Sequence, residues 1–270
     1  MSDRLVLILS KGILPEDTLE RIRRAVGDGD FWVVTSDPMV TTDPNKKVFC
    51  FIPTEGLDVP QRVGLCINAF LQWHGYEGYK WILKVDSDMD VPPGFFDKLD
   101  QKPDDIVYGC GSVAAISVKF FKTYLKGCYP VNDNDDGFLF AVALAYGKME
   151  YVPVPGPWHF FPRRALKYGT ELYKYGFPFW LILIQRNKIW DKPFLASGWL
   201  YGWVTKQKKY SFSSLYRKAT LRRVRGKLAK LLGMENSDRI LLVSSSKIGA
   251  RFPQRSDHLL RALRELGTKS

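Results

Sequence analysis

The chain has 270 residues, of which 46% are hydrophobic and 25% are charged, and its formal net charge is +12 at pH 7. This composition is that of a folded globular protein and excludes a disordered or fibrous chain. Four cysteines without CxxC spacing and only three histidines make a structural zinc site unexpected.

The first hundred residues alternate predicted strands with predicted helices. Short apolar runs at 4–10, 31–35, 48–52 and 81–85 predict four strands, and residues 15–26 and 59–73 predict two helices. Alternation of this kind, with short connections, favours an α/β fold. We expect a mostly parallel, doubly wound sheet flanked by helices.

The next sixty residues continue this pattern, and the composition then changes. Apolar runs at 106–108, 113–118 and 152–154 predict further strands, and residues 119–125 and 138–146 predict helices. After His159 the chain becomes rich in Lys, Arg, Tyr and Trp. We therefore expect one α/β domain at 1–160 and a helical, basic extension at 161–270.

Three carboxylates alternate directly after the fourth predicted strand, at Asp86, Asp88 and Asp90. In an open α/β sheet, ligands bind at the carboxyl ends of the strands. Carboxylates this close repel one another unless a positive charge lies among them, and a divalent cation is the usual one. The alternative is a plain turn, because Asp tolerates turn geometry and bonds its own backbone.

A second acidic cluster, Asp133, Asp135 and Asp136, precedes the apolar helix predicted at 138–146. A carboxylate at a helix start is favoured by the helix dipole, so one of these residues is explained as a cap. Capping does not explain three carboxylates in four residues. The cluster is therefore a second candidate for chemistry.

The positive charge is concentrated in the last third of the chain. Between Phe160 and Lys230 there are 17 basic and 2 acidic residues, which leaves a net charge of −3 for the remainder. Basic helices that carry Trp, Phe and Leu on one side lie in the membrane interface. Two alternatives stay open: the aromatic residues cover a helical core, or they bind single-stranded nucleic acid.

In their order along the chain, these pieces resemble an inverting glycosyltransferase of family 2, with the GT-A fold, over about residues 5–209. The segment KVDSDMDVPPGFFDKL resembles that family's DxD motif, and Asp135-Asp136-Gly137-Phe138-Leu139 resembles its E-D-x-x-L motif, with Asp in place of Glu. Arg62 and Asn68 resemble its R-x(n)-N helix. The segment SGWLYGWVTKQKKY resembles the tail of members that sit on membranes.

The resemblance implies a role for each of these residues. Asp136 is the general base, with Asp135 beside it in the catalytic motif. Asp86, Asp88 and His159 hold the metal, which is Mn²⁺ or Mg²⁺. The nucleotide-sugar contacts are Ser36, Asp37, Arg62, Asp86 and Ser87. The basic and aromatic composition after His159, rather than the resemblance, gives the membrane or acceptor contacts: Arg163, Arg164, Trp180, Trp199 and Trp203. Residues 1–100 then form the nucleotide-sugar half of a catalytic domain, and residues 101–160 form its acceptor half.

The implied reaction moves a sugar from a nucleotide diphosphate to a hydroxyl or phosphate acceptor, lipid-linked or glycan, in a single inverting displacement. A nucleotidyltransferase is one alternative, although Ser10-Lys11-Gly12 is only a fragment of the loop it requires. A nucleic-acid-binding module is another, and a hydrolase using Asp88 and Asp136 is a third. Met1-Ser2-Asp3-Arg4 shows no signal-peptide pattern. We expect a cytoplasmic enzyme, peripheral on the cytoplasmic face of an anionic membrane, with no nucleic-acid partner.

Overall fold

The computed structural model describes residues 2–11, 14, 16–36, 47–52, 56–152, 162–184 and 191–231. Contacts within the chain divide it into two units, Met1–Ala219 and Thr220–Ser270. The first unit contains the sheet and the candidate site. Of the second unit, residues 220–231 are described, and they complete the last helix.

The described residues form seven strands and eight α-helices. The strands are β1 (Arg4–Leu9), β2 (Asp30–Thr35), β3 (Val48–Cys50), β4 (Trp81–Asp86), β5 (Val107–Cys110), β6 (Val113–Ser117) and β7 (Met149–Tyr151). The helices are α1 (Glu16–Val26), α2 (Val59–His74), α3 (Val118–Tyr124), α4 (Asp135–Ala145), α5 (Pro162–Lys174), α6 (Phe179–Ile184), α7 (Lys192–Val204) and α8 (Ser213–Leu231).

All seven strands join one sheet in the order β3-β2-β1-β4-β6-β5-β7. Neighbouring strands are parallel, except that β6 runs antiparallel to both β4 and β5. This confirms the predicted α/β class with a mostly parallel sheet flanked by helices.

The last described strand lies just before the one predicted at 152–154. It spans Met149–Tyr151, where Met149 pairs with Val107 of β5, and residues 153 and 154 of the predicted strand lie outside the described residues. The apolar pattern did not indicate a strand at Met149–Tyr151, because this segment includes Glu150, which forms an ion pair with Lys102. Helix α4 begins at Asp135, earlier than predicted, so Asp135 and Asp136 of the second acidic cluster lie in its first turn.

Strand β1 lies between β2 and β4. The chain runs from β1 through β2 to β3 on one side and then crosses through α2 to β4 on the other. Such a reversal is a topological switch point, beyond whose strand ends open α/β sheets bind ligands. Leu9 of β1 pairs with Asp86 of β4, so Asp86 lies at this switch point.

Side chains of β4 alternate between two apolar layers. Trp81, Leu83 and Val85 pack on the side of α1, whereas Ile82 packs on the side of α2, α3 and α4. Because successive side chains point to opposite faces of a strand, Lys84 lies on the same side as Ile82. This is the side from which α4 approaches.

Helices α5 and α7 pack with their backbones in close contact. A Cβ at Gly169 would collide with the carbonyl oxygen of Leu195, and one at Gly198 would collide with that of Leu166. Small residues allow such approach between helices. The Thr170 hydroxyl donates to the Gly198 carbonyl oxygen at 3.1 Å across the same contact.

Candidate active site

The centre of the candidate site is the ammonium group of Lys84, whose side chain is 3% exposed. Its Nζ donates to Asp136 Oδ1 at 2.9 Å and to the Gly111 carbonyl oxygen at 3.1 Å, and it lies 3.1 Å from Asp86 Oδ1. A protonated lysine has three N–H donors, so these acceptors use all of them. Lys84 therefore joins the two acidic motifs of the sequence.

The charges of its partners keep Lys84 protonated. Burial alone would lower the pKa of this lysine, because it disfavours the charged form. The neighbouring carboxylates of Asp136, Asp86 and Asp135 outweigh burial and raise the pKa above its ordinary value. Three carboxyl groups thus surround one buried ammonium group.

Asp136 lies in the first turn of α4, and 27% of its side chain is exposed. Burial raises the pKa of this carboxyl to about 6; Lys84 opposes the rise and the charge of Asp135 adds to it. A carboxylate that is accessible, and whose pKa lies near neutral pH, suits a general base.

Asp135 is in a different environment, since it is only 7% exposed. The Tyr129 hydroxyl lies 3.1 Å from Asp135 Oδ2 and 3.3 Å from Asp136 Oδ1. Burial raises the pKa of Asp135, against the charge of Lys84 and the Tyr129 hydrogen bond. Of the two adjacent carboxylates, Asp136 is the one that a substrate can reach.

Helix α2 holds Tyr129 in place. Asn68 Nδ2 donates to the Tyr129 carbonyl oxygen at 2.9 Å, and the Tyr129 N–H donates to Asn68 Oδ1 at 2.7 Å. One turn earlier, a Cβ at Gly64 would collide with the Pro130 carbonyl oxygen. The segment that carries Tyr129 is thus fixed to α2 by two hydrogen bonds and one close backbone contact.

A second polar contact orders the start of α4. Asn134 caps this helix by accepting from the Gly137 N–H at 2.7 Å, and it donates to the Tyr175 hydroxyl at 2.8 Å. A Cβ at Gly137 would collide with the Tyr175 ring. The residue that follows α5 therefore packs against the turn that carries Asp136.

The first acidic motif separates into different environments. Asp86 is partly exposed beside Lys84, and burial raises the pKa of its carboxyl although Lys84 lowers it. Ser87 and Asp88 form the turn after β4, and the Ser87 N–H donates to the Leu9 carbonyl oxygen at 2.9 Å. Asp90 lies 3.7 Å from Arg21 in an exposed ion pair.

The predicted metal ligands are Asp86, Asp88 and His159, and His159 lies outside the described residues. Among the side chains that the structure describes, no three His, Cys, Asp or Glu residues are grouped to hold a metal ion. The donor chemistry nevertheless fits Mg²⁺ or Mn²⁺, which prefer carboxylate oxygens. Lys84 is one ammonium group among three carboxyl groups, and Asp88 adds an exposed fourth at the same end of β4.

The other predicted nucleotide contacts are spread over two elements. Ser36 follows β2 at the carboxyl edge of the sheet, and Asp37 lies outside the described residues. Arg62 lies on α2, and its Nε is buried without a hydrogen-bond partner. No interaction in the described part of the chain joins Ser36 or Arg62 to the Lys84 cluster.

The predicted membrane residues differ in exposure. Trp180 and Trp203 are exposed, and so is Arg163; the side chain of Arg164 is not among those described. Trp199 packs inward instead, where its indole N–H donates to the Phe177 carbonyl oxygen at 2.8 Å. Helices α6 and α7 carry further exposed apolar side chains that the sequence analysis did not single out: Leu183, Ile184, Leu200, Tyr201 and Val204.

A separate recess of about 410 Å³ lies near the amino end of β4, where Lys80 precedes the strand. It is lined by Tyr79, Lys80, Asp104, Val118, Lys119, Lys122 and Thr123. Asp86 is at the opposite end of β4. The recess is therefore not part of the Lys84 site.

Sequence reasoning missed two residues of the site, Lys84 and Tyr129. Lys84 carried a signal, since it is a charge inside an otherwise apolar strand, and a buried charge requires a partner. Tyr129 had no such signal in the sequence, because its role depends on contacts with α2 and α4.

The chain was compared with family models and with curated proteins, and neither comparison found a match.

Proposed function

We propose that this protein is a metal-dependent inverting glycosyltransferase that moves a sugar from a nucleotide diphosphate to a lipid-linked or glycan acceptor. One observation carries the proposal. Asp136 is an accessible carboxylate whose pKa is raised to about 6. The ammonium group of Lys84 contacts both Asp136 and Asp86, and Asp86 lies at the switch point of the sheet. The two residues belong to the motifs that resemble the donor-binding and catalytic motifs of family 2 enzymes.

On the acceptor side, Asp136 takes the proton from the attacking hydroxyl. A base of this kind is most effective when its pKa lies near the working pH, because it is then ionised and still able to accept a proton. Asp135 is buried against Tyr129, so its role is to hold the first turn of α4. No covalent intermediate is needed, and one displacement inverts the anomeric centre.

On the donor side, Asp86 and Asp88 would hold Mg²⁺ or Mn²⁺ at the end of β4. A divalent cation bound there would neutralise the charge that develops on the diphosphate leaving group. Lys84 already orients Asp86. Asp88 is exposed, and among the described residues it forms no ion pair. Ser87 and Ser36 lie at the same edge of the sheet and are candidate contacts to the nucleotide.

We also propose that the acceptor is reached at a membrane surface, through the apolar side chains exposed on α6 and α7. This α6–α7 surface consists of Trp180, Leu183, Ile184, Leu200, Tyr201, Trp203 and Val204. Exposed Lys206, Lys208 and Lys209 directly follow α7. Aromatic and aliphatic side chains beside lysines are typical of helices that lie in the membrane interface. No described helix is both long enough and apolar enough to span a membrane.

Nucleotide binding tests the donor half of the proposal. Calorimetric titration of UDP, GDP, ADP and dTDP, each with and without Mn²⁺, should show metal-dependent binding of one nucleotide. Asp88→Ala should abolish that binding. Asp90→Ala is the matched control, because Asp90 lies in the same segment but pairs with Arg21 at the surface.

Two outcomes contradict the proposal. If the wild-type protein binds none of the nucleotides with metal, a nucleotide-sugar donor is excluded. If binding survives Asp88→Ala unchanged, the acidic motif is a structural turn. Tight, salt-dependent binding of RNA that survives the same substitution would favour the nucleic-acid-binding alternative.

A further inference from the structure

Lys84 lies between a carboxylate of the donor side and a carboxylate of the acceptor side, and it contacts both. We propose that Lys84 is a positioning residue, whose single buried ammonium group holds Asp86 and Asp136 at a fixed separation and orients Asp136 toward the acceptor. This inference rests on the proposed function. It adds Lys84, two residues before the first carboxylate of the acidic cluster, to the residues that the sequence predicts for the site.

The contacts of Lys84 exclude a direct role in binding substrate. Its side chain is 3% exposed, and its three donors are used by Asp86, Asp136 and the Gly111 carbonyl oxygen. A ligand could therefore gain a hydrogen bond from Lys84 only if one of these protein contacts were broken. Lys84 acts on the reaction through the carboxylates that it holds.

The contacts also distinguish the two oxygens of Asp136. Lys84 donates to Oδ1 at 2.9 Å, and the Tyr129 hydroxyl lies 3.3 Å from the same oxygen. Oδ2 faces Gly111, where a Cβ would stand 3.1 Å away. Because Oδ1 is occupied by protein donors, Oδ2 is the oxygen left to accept the proton of the acceptor hydroxyl.

A buried lysine suits this task for a geometric reason. Lys84 and Asp86 are two residues apart on one strand and so share a face, whereas Asp136 arrives from a helix that packs on that face. A compact ammonium group can donate in three directions at once, to groups from β4, from α4 and from the turn at Gly111. Without it, the two carboxylates would repel each other.

The decisive experiment compares Lys84→Met with wild type and with Lys102→Met. Lys102 also forms an ion pair, with Glu150 at 2.7 Å, but it lies at the edge of the sheet away from the site. In Lys84→Met we expect kcat to fall by about 10- to 100-fold, as is usual when a residue that orients a reacting group is lost. The KM for the nucleotide sugar should rise by less than kcat falls, because Asp86 loses its partner while Asp88 keeps its place on the donor side. Lys102→Met should match wild type.

If Lys84→Met does not fold, NMR spectroscopy of the wild-type protein tests the contacts of Lys84 instead. In protein labelled with ¹⁵N-lysine and ¹³C-aspartate, the Lys84 ammonium signal should show scalar couplings to the carboxyl carbons of both Asp86 and Asp136. An ammonium signal coupled to neither carboxylate would overturn the inference. So would a Lys84→Met enzyme with wild-type kcat. Absence of turnover by wild type with every donor would instead count against the proposed function itself.

Discussion

The ammonium group of Lys84 lies 2.9 Å from Asp136 Oδ1, although the two residues are 52 positions apart in the chain. One belongs to β4, directly before the first acidic motif, and the other belongs to α4, in the second. Their contact turns two separate acidic segments into one site. It also means that the carboxylates are partly neutralised by the protein itself before any cation binds.

Asp136→Asn should abolish sugar transfer without abolishing nucleotide binding. Asparagine keeps the size of the side chain but cannot accept the proton of the acceptor, and loss of a general base costs roughly 10²- to 10⁴-fold in rate. The measurement is kcat in a transfer assay, together with calorimetric nucleotide binding. Asp133→Asn is the control, because Asp133 is exposed in the same cluster. Equal loss of activity in both variants would remove Asp136 from the role of base.

The pH dependence of the rate should follow the ionisation of Asp136. The pKa of this carboxyl is raised to about 6, chiefly by burial, and only the ionised form can act as a base. On the acidic side of the pH–rate profile, we expect kcat/KM to rise with a midpoint near pH 6 and then to level off. A limb centred near 4, the ordinary value for an aspartate, would show that another group is the base.

The same shift predicts how Asp136 contributes to stability. In the unfolded chain its carboxyl titrates near 3.8, whereas in the folded protein it titrates near 6. Between these values the folded state holds a proton that the unfolded state has released, so protonation favours folding. The contribution of Asp136 is therefore full below about pH 4 and is lost as the pH rises through about 6. Urea unfolding in the presence of a chelator should show this dependence in wild type and its loss in Asp136→Asn.

Much of the fold was predictable because its signals are local. The apolar runs of β1 and β4 and the apolar face of α2 each lie within one short segment, and alternation of strands and helices indicates the class of the sheet. The position of β7 was not predictable from such a run, since Glu150 interrupts it and an edge strand needs only one apolar side. The position of β7 is set by its pairing with β5.

The site was predictable in its parts but not in their arrangement. Asp86 and Asp136 stand out in the sequence as members of acidic clusters, but their approach depends on how α4 packs on the sheet. The sequence predicts a positive charge among the carboxylates, and Lys84 of β4 provides one. For the tryptophans, composition indicates an aromatic region but cannot tell that Trp199 packs inward while Trp203 is exposed.

Gly111→Ala should impair transfer without unfolding the protein. The backbone at Gly111 is not in the left-handed region, so alanine is allowed there, but its Cβ would stand 3.1 Å from Asp136 Oδ2. That methyl group would crowd the oxygen which we assign as the proton acceptor. We expect a lower kcat with a nearly unchanged midpoint of thermal unfolding. Gly78→Ala is the control, because no atom lies within 4 Å of the Cβ position at Gly78. Wild-type kcat in Gly111→Ala would place the acceptor elsewhere.

Gly64→Ala should destabilise the protein and disturb Tyr129. A Cβ at this position would collide with the Pro130 carbonyl oxygen, and backbone cannot move as a side chain can. Overpacking of this kind costs about 1–3 kcal/mol of unfolding free energy. Denaturant unfolding measures the loss. In Gly226→Ala, a helical glycine with open space at its Cβ position, alanine should be neutral or stabilising. A Gly64→Ala protein as stable as wild type would show that α2 does not hold this segment.

The α6–α7 surface should bind anionic membranes. In a sedimentation assay, the wild-type protein should bind vesicles of phosphatidylcholine and phosphatidylglycerol but not phosphatidylcholine alone, and salt should weaken binding by screening the lysines. Trp203 is 59% exposed on this surface, whereas Trp73 is 62% exposed on α2. Because burying a large apolar side chain contributes about 1.5–3 kcal/mol, Trp203→Ala should weaken binding about tenfold or more, and Trp73→Ala should not. Equal effects of the two substitutions, or no binding by wild type, would contradict membrane docking through α6 and α7.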